Sequence, residues 1–139
     1  MPQNYLIDAN VLLDIVLERQ GLAEAIACLD AFDGETSLSP WVAAHSISVI
    51  FYVGRPKIGK AAILNWIRES LEILQMSPLS SAQTVKSFEY GISDFEDAMQ
   101  VASAVSVGAV GIITRNIKDF RNSPVPSLTP AEFLAKVGR

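Results

Sequence analysis

Four aspartates at the boundaries of apolar segments are the residues of this sequence best suited to chemistry. Asp8 closes the first apolar run of the chain, and Asp119 follows a later one at 111–114. Asp94 and Asp97 open a long apolar helical pattern. In a parallel sheet the carboxyl ends of the strands form the ligand crevice, so these carboxylates would meet at one edge. Carboxylates held together repel one another unless a cation lies between them, and Mg²⁺ prefers such oxygen ligands.

Each aspartate also has an ordinary structural explanation. Asp8 can cap the helix that follows it, because aspartate is a favourable N-cap residue. Asp94 and Asp97 lie in the first turn of a helix, where the macrodipole favours negative charge. That explanation suits Asp94 better, because the side of the helix that carries Asp97 continues into apolar residues. Asp119 can stabilise a local turn, since aspartate is frequent in loops.

The segment after the later apolar run adds polar and basic side chains. Thr114 and Asn116 can position a water molecule or orient a carboxylate. Arg115, Lys118 and Arg121 flank the predicted site and can hold a phosphate backbone electrostatically. A solvated loop explains each of these three cations equally well.

Strand and helix patterns alternate along the chain, which places the polar residues at strand ends and helix starts. Strands are predicted at 4–8, 36–39, 75–78, 110–114 and 127–129. Helices are predicted at 10–18, 22–32, 40–53, 58–74, 81–90, 93–107 and 130–136. Such alternation is typical of parallel βαβ units. We therefore expect residues 1–139 to form one domain, a three-layer α/β/α sandwich with a four- or five-stranded parallel sheet.

Local signals predict two of the helix starts. Pro40 can occupy the first turn of a helix, so the third helix is predicted to begin there and to end near 54–56. Ser93 and Glu96 have the spacing of a capping box, which predicts Ser93 as the N-cap of the helix that carries the central aspartates.

Composition limits the class of protein. Half of the 139 residues are hydrophobic, and 11 basic and 15 acidic residues give a net charge of −4. This balance argues against a dedicated nucleic-acid coat protein, but it permits an enzyme that meets nucleic acid through a small basic patch and a metal. The longest nearly apolar stretch, 101–113, is too short to span a bilayer, so we expect no membrane association.

The single cysteine and the first residues of the chain bear on location. Cys28 excludes an internal disulfide and fits the reducing cytoplasm. Because it lies in an apolar helical pattern, a buried, unreactive thiol is expected. The first residues carry no basic region and soon reach Asp8, so no secretory signal is predicted.

Three segments, taken in order, resemble the PIN domain family, in particular the VapC-like toxins of bacterial toxin–antitoxin pairs. They are LIDANVLLD at 6–14, SDFEDA at 93–98 and ITRNIKDF at 113–120. The resemblance implies a metal-dependent ribonuclease that hydrolyses RNA phosphodiester bonds with Mg²⁺ or Mn²⁺. It also implies a small antitoxin protein as partner and a homodimer as the assembly.

The resemblance assigns roles to individual residues. The acidic cluster of the family corresponds to Asp8 and Asp97, with Asp119 as a further metal ligand. Asp94 matches an additional acid of bacterial relatives, and Asn116 stands where many members have an acid. These five residues form the implied catalytic set.

One departure from the family concerns the helix after the second strand, where members usually carry a glutamate or another acid. This chain has no carboxylate at 40–53, and either His45 or Val49 occupies the position. His45 can contact a metal, a water molecule or a phosphate, or it can be a hydrogen-bonded, partly buried histidine.

The missing acid leaves two alternatives to an active ribonuclease. The first is a catalytically impaired PIN domain that binds RNA or protein. The second is a phosphotransfer enzyme with Asp8 as nucleophile, since 8–10 loosely resembles the start of a haloacid-dehalogenase motif. That motif normally has an acid where this chain has Asn10.

Overall fold

A five-stranded parallel sheet organises the part of the chain that the computed structural model describes, residues 1–138. In chain order the strands are β1 (Gln3–Ile7), β2 (Leu38–Ala43), β3 (Gln75–Ser77), β4 (Gly111–Ile113) and β5 (Ser127–Leu128). Their order across the sheet is β3-β2-β1-β4-β5, and every neighbouring pair is parallel. The prediction of a four- or five-stranded parallel sheet is confirmed, and β1 lies at its centre.

Seven α-helices connect these strands within the described residues. They are α1 (Ala9–Val16), α2 (Leu22–Phe32), α3 (Ala44–Ile58), α4 (Lys60–Ser70), α5 (Ser81–Ser87), α6 (Phe95–Ser106) and α7 (Pro130–Lys136). A short 3₁₀ helix, Ile117–Phe120, follows β4. None of the helices in this part of the chain is both long and apolar enough to cross a bilayer.

The helices form one layer on each face of the sheet, as predicted. Alternate residues of β1 point to opposite faces, because successive side chains of a strand do so. Tyr5 and Ile7 belong to a core with residues of α1, α2, α3, α4 and α7, whereas Leu6 packs against α6. Tyr5 also packs edge-on against Phe32 and Phe133, which joins α2 and α7 to the central strand.

The prediction that a helix begins at Pro40 is wrong. Pro40 lies inside β2, paired with Tyr5 of β1, and α3 begins only at Ala44. The ladder between β2 and β3 starts at Trp41, so it does not include the proline. A strand tolerates a proline where no neighbouring strand accepts a hydrogen bond from that position, because proline has no backbone N–H.

The predicted end of that helix near 54–56 is also wrong, because α3 continues to Ile58. Gly54 is buried, and a Cβ atom there would lie 2.7 Å from Ile63 Cδ1 of α4. The glycine therefore permits close packing of two helices instead of ending one. The break comes at Gly59, whose φ of +91° favours glycine, so the helix predicted at 58–74 begins at Lys60 and ends at Ser70.

Candidate metal centre

Asp8 lies at the carboxyl end of the central strand and is the hub of the polar site. Its side chain is almost fully buried, although it also caps α1 by accepting the Asn10 backbone N–H at 3.2 Å. The Gln100 amide donates to Asp8 Oδ1 at 3.0 Å, and the Thr114 hydroxyl donates to Asp8 Oδ2 at 2.8 Å. Asp8 therefore caps α1 and also lies where the candidate site was predicted, so the cap does not exclude a functional role.

The N-terminus of α6 brings the second aspartate to this hub, by a cap that differs from the predicted one. Asp94 is the N-cap, and its carboxylate accepts the backbone N–H of Asp97 at 3.0 Å. The predicted capping box of Ser93 and Glu96 is wrong, since Asp94 provides the cap one residue later. Glu96 is consequently free of a capping role and turns towards the site.

Asp8, Glu96 and Asp97 form a cluster that we call the carboxylate triad. One oxygen of each lies within 4.8 Å of one oxygen of each of the others. Three carboxylates at this spacing fit a hard divalent cation, which takes oxygen ligands and removes their mutual repulsion. The donor set therefore suits Mg²⁺ or Mn²⁺.

Gln100 connects all three members of the carboxylate triad. Besides its bond to Asp8, its amide nitrogen lies 3.4 Å from oxygens of both Glu96 and Asp97. Its carbonyl oxygen accepts the backbone N–H of Ala9 at 3.2 Å, which fixes the orientation of the amide. Sequence reasoning missed Glu96 and Gln100. The sequence feature that could have found them is a glutamine on an otherwise apolar helix face, four residues after Glu96 and three after Asp97.

Burial and crowding raise the pKa values of the two aspartates. Burial is the main cause that raises the pKa of Asp97 to about 7, and the nearby charges of Asp8 and Glu96 add to it. Burial also raises the pKa of Asp8, although the hydrogen bonds from Gln100 and Thr114 oppose the shift. A cation in the triad would offset both effects, because it stabilises the ionised form.

A pH dependence follows from the raised pKa of Asp97. Between its ordinary value of 3.8 and about 7, the metal-free fold binds more protons than the unfolded chain, so its stability falls as pH rises through this window. Protons and metal compete for the same oxygens, so Mn²⁺ affinity should rise by at most about tenfold per pH unit for this one proton, and level off above about pH 7. Calorimetric titration with Mn²⁺ at several pH values tests this. Asp97→Asn should flatten the profile, and a flat wild-type profile would contradict the assignment.

Thr114 and Asn116 follow β4, and Thr114 contacts the triad through Asp8. Thr114 is fully buried, and its oxygen accepts the Asn116 backbone N–H at 3.1 Å while its hydroxyl orients Asp8. Asn116 is exposed at the start of the 3₁₀ helix. Asp119 lies within that helix and is also exposed, and its charge contributes to the raised pKa of Asp97. Its carboxylate lies outside the triad, so Asp119 as a direct ligand stays a prediction.

The three predicted phosphate-holding cations divide into two groups. Lys118 and Arg121 line a cavity of about 220 Å³, together with Asp119 and Ser93, next to the start of α6. Arg115 instead pairs with Asp14 through both Nε and Nη2, and Arg19 donates to the same carboxylate at 3.0 Å. Asp14 is fully buried, so Arg115 stabilises the fold by neutralising the charge of this carboxylate.

His45 is the residue of α3 that reaches the site. Its Nε2 lies 2.8 Å from Glu96 Oε2 and 3.2 Å from the Glu96 carbonyl oxygen. Val49, one turn later, packs against the hydrophobic core. Of the two candidates for the position of the family's acid, His45 is therefore the one that contacts a member of the carboxylate triad, and it is partly buried.

Known proteins have the same arrangement of parallel strands, flanking helices and acidic residues at the carboxyl edge of the sheet. The model of the PIN domain family matches residues 4–118. Ribonuclease VapC1 of Aquifex aeolicus (strain VF5) is 32% identical in an alignment that covers 91% of this chain and 90% of that protein. The chain belongs to the PIN domain family. Within that family it falls in the VapC-like group.

Solved structures show the same fold. VapBC2 from Rickettsia felis, bound to a DNA fragment from its promoter, aligns with a TM-score of 0.74 at 15% identity, covering 91% of this chain and 98% of that one. A toxin–antitoxin complex from Klebsiella pneumoniae aligns with a TM-score of 0.68 at 25% identity, covering 91% of this chain and 97% of that one.

Proposed function

We propose that this chain is a divalent-metal-dependent endoribonuclease and the toxin of a type II toxin–antitoxin pair. The observation that carries the proposal is the carboxylate triad at the carboxyl edge of a PIN-type sheet, where Asp8 is buried and Glu96 is partly exposed. The likeness to a ribonuclease of the VapC group supports RNA as the substrate.

Each residue of the site has a separate role in phosphodiester hydrolysis. Asp8, Glu96 and Asp97 would hold Mg²⁺ or Mn²⁺, which when bound supplies Lewis acidity for water activation and neutralises phosphate charge. Gln100 and Thr114 keep Asp8 in its orientation through the hydrogen bonds described above. Lys118 and Arg121 attract the RNA backbone from the adjoining cavity. Asn116 and Asp119, exposed at the rim, position water or phosphate.

We propose further that Glu96 supplies the carboxylate that α3 lacks. His45 hydrogen-bonds to this glutamate, so the helix that usually carries the acid here carries the residue that orients it. This substitution favours an active enzyme over the catalytically impaired binding module. Asp94 serves as the cap of α6 and holds the backbone of Asp97 in place.

His45→Ala is expected to weaken Mn²⁺ binding by about 10- to 100-fold, the range found when a residue that orients a metal ligand is removed. His45→Gln should restore part of the affinity, because its amide can also donate to Glu96. Lys57→Ala, an exposed change on the same helix, is the matched control. Isothermal titration with Mn²⁺ measures all four proteins, and equal affinity of His45→Ala and wild type would show that Glu96 needs no such support.

The proposed partners are a small antitoxin that masks the site and a second copy of the chain. The structure of similar fold from Klebsiella pneumoniae is described as a toxin–antitoxin complex, which supports the antitoxin. Residues 1–139 would act as one PIN domain. An RNA substrate, together with the buried free thiol of Cys28, supports work in the cytoplasm.

The proposed function is tested by incubating the purified protein with single-stranded and structured RNA in Mg²⁺, in Mn²⁺ and in EDTA. We expect internal cleavage with either metal and none in EDTA. RNA binding without cleavage in any metal would support the impaired binding module instead. A covalent phosphate on Asp8 after incubation with a phosphate ester would support the phosphotransfer alternative.

A further inference from the structure

A group of cations at the joint between α3 and α4 has no role in the site described above. Residues 36–68 contain four basic residues and no acidic one, whereas the rest of the chain has seven basic and 15 acidic residues. Three of the four lie at the joint and are exposed: Arg55, Lys57 and Lys60. We call these three residues the basic corner. In a chain with a net charge of −4, the corner is a local concentration of positive charge.

The charges of the basic corner are not neutralised by other side chains. Among residues 1–138, no ion pair includes a residue of the corner. Arg55 and Lys57 lie in the last turn of α3, where the helix dipole favours a cation. Lys60 is the first residue of α4, where the dipole disfavours one. Helix stability therefore explains two of the three cations and leaves Lys60 unexplained.

The packing of α3 against its neighbours holds the basic corner in place. A Cβ atom at Gly54 would lie 2.7 Å from Ile63 of α4 and 3.3 Å from Val16 at the end of α1, so the backbone of α3 lies close to both helices. The Arg55 guanidinium lies 6.0 Å from the centre of the Phe51 ring, one turn earlier in α3, in a cation–π contact. The corner is therefore a group of charges on a well-packed pair of helices.

Helix α3 connects the basic corner with the carboxylate triad. His45, in the first turn of α3, contacts Glu96 of the triad, and Lys57 follows twelve residues later. Because an α-helix rises 1.5 Å per residue, Lys57 lies about 18 Å along α3 from His45. A stacked nucleic-acid strand advances about 3.4 Å per nucleotide, so about five nucleotides span that distance. A strand of moderate length bound at the triad can therefore reach the corner.

We propose, on the basis of the ribonuclease function above, that the basic corner binds the phosphate backbone of the substrate RNA about five nucleotides from the bond that is cut. Contacts from lysine and arginine to phosphate fix the position of a nucleic acid and carry no sequence information. The corner therefore makes the length of the RNA a determinant of affinity. An RNA too short to span from the triad to the corner loses these contacts, whatever its sequence.

The composition of the basic corner favours RNA over an acidic protein as its partner. Protein interfaces have an apolar core and are depleted in lysine. The large apolar side chain between the cations of the corner is that of Ile58, and it is only 37% exposed. A phosphate backbone, in contrast, needs cations at intervals along a surface and no apolar core. The corner meets this second requirement better than the first.

The binding experiment removes the charges of the two lysines and keeps polar side chains in their place. The affinity for a long, fluorescently labelled RNA is measured in EDTA, where no hydrolysis is expected, at several salt concentrations. Each lost phosphate contact lowers the salt slope of a single strand by about 0.7, which is about fivefold in affinity at 0.1 M relative to 1 M salt. Lys57→Gln/Lys60→Gln should therefore bind about 25-fold more weakly at 0.1 M salt, with a slope smaller by about 1.4. The matched control, Lys86→Gln/Lys136→Gln, removes the same charge from α5 and α7 and should bind like wild type.

The length of the RNA separates contact at the basic corner from a general effect of charge. Cleavage places the RNA at the triad, so its KM reports whether the strand also reaches the corner. For long RNA, Lys57→Gln/Lys60→Gln should raise the KM and leave kcat unchanged, because the triad is intact. For RNA of about four nucleotides, which cannot span 18 Å, the variant should have the KM of wild type.

Three results would overturn the basic corner as an RNA contact. The first is equal affinity and salt slope of Lys57→Gln/Lys60→Gln and its control on long RNA. The second is a KM that rises equally for long and short RNA. The third is loss of polyglutamate binding in the variant with unchanged RNA affinity, which would assign the corner to an acidic protein.

This proposal and the ribonuclease function fail separately. RNA that binds through Lys57 and Lys60 in EDTA but is never cut with Mg²⁺ or Mn²⁺ refutes the ribonuclease alone. RNA that is cut, with an affinity independent of both lysines, refutes the basic corner alone.

Discussion

Asp8→Asn is expected to lower the rate of Mg²⁺-dependent RNA cleavage by about 10³-fold or more, because loss of a metal-holding charge removes several kcal/mol of transition-state stabilisation. Asp8 is the hub that both Gln100 and Thr114 orient. Initial cleavage rates at saturating RNA measure the effect.

Asp33→Asn is the matched control for that experiment. Asp33 is an exposed aspartate at the C-cap of α2, and its substitution removes the same charge from the surface. It should leave the cleavage rate within about twofold of wild type, since surface charges away from a site are screened by salt. A cleavage rate for Asp8→Asn equal to that of Asp33→Asn would mean that the catalytic site lies elsewhere.

Arg115→Ala is expected to destabilise the fold by about 1.5–3 kcal/mol, the range for losing a hydrogen bond to a charged group, since Asp14 is buried although Arg115 itself is partly exposed. Asp14 is fully buried and would keep only Arg19 as a partner. The free energy of unfolding of Arg115→Lys should lie between those of wild type and Arg115→Ala, because a lysine keeps the charge but cannot pair through two nitrogen atoms. Urea unfolding, compared at equal denaturant slope, measures the free energy.

The control for Arg115 is Lys118→Ala in the same segment. Lys118 is exposed and lines the cavity beside the triad, so its loss should weaken RNA binding and leave the unfolding free energy within about 0.5 kcal/mol of wild type. If Arg115→Ala instead unfolds like wild type and loses RNA affinity, then Arg115 holds substrate, as its position in the sequence first suggested.

The fold follows from the sequence wherever periodicity alone decides the element. Leu22–Phe32 and Pro130–Lys136 have the bounds predicted for them, because their apolar spacing and end signals agree. Prediction failed at Pro40 and Gly54, where tertiary contacts outweigh local preference. Pro40 lies in β2 before the ladder with β3 begins, and Gly54 allows Ile63 of α4 to approach. The residues around Pro40 and Gly54 in the sequence do not reveal either of these tertiary arrangements.

The site could be predicted in part for the same reason. Asp8 was found from its place at a strand end and Asp97 from its place on the core side of a helix. Glu96 was missed because its spacing to Ser93 has an ordinary capping explanation, and only the structure shows that Asp94 takes the cap. The role of His45 needed the contact of α3 with the start of α6, which pairs residues 51 positions apart, and that of Gln100 needed the contact of α6 with Asp8, 92 positions away.

The most direct test of the carboxylate triad as the catalytic metal site is a Mn²⁺ titration that records bound metal and RNA cleavage in the same samples. We expect both signals to rise with one midpoint in the wild type, and both to shift together to higher Mn²⁺ in Glu96→Gln. Cleavage that appears without bound Mn²⁺, or a midpoint that Glu96→Gln leaves unchanged, would contradict the assignment.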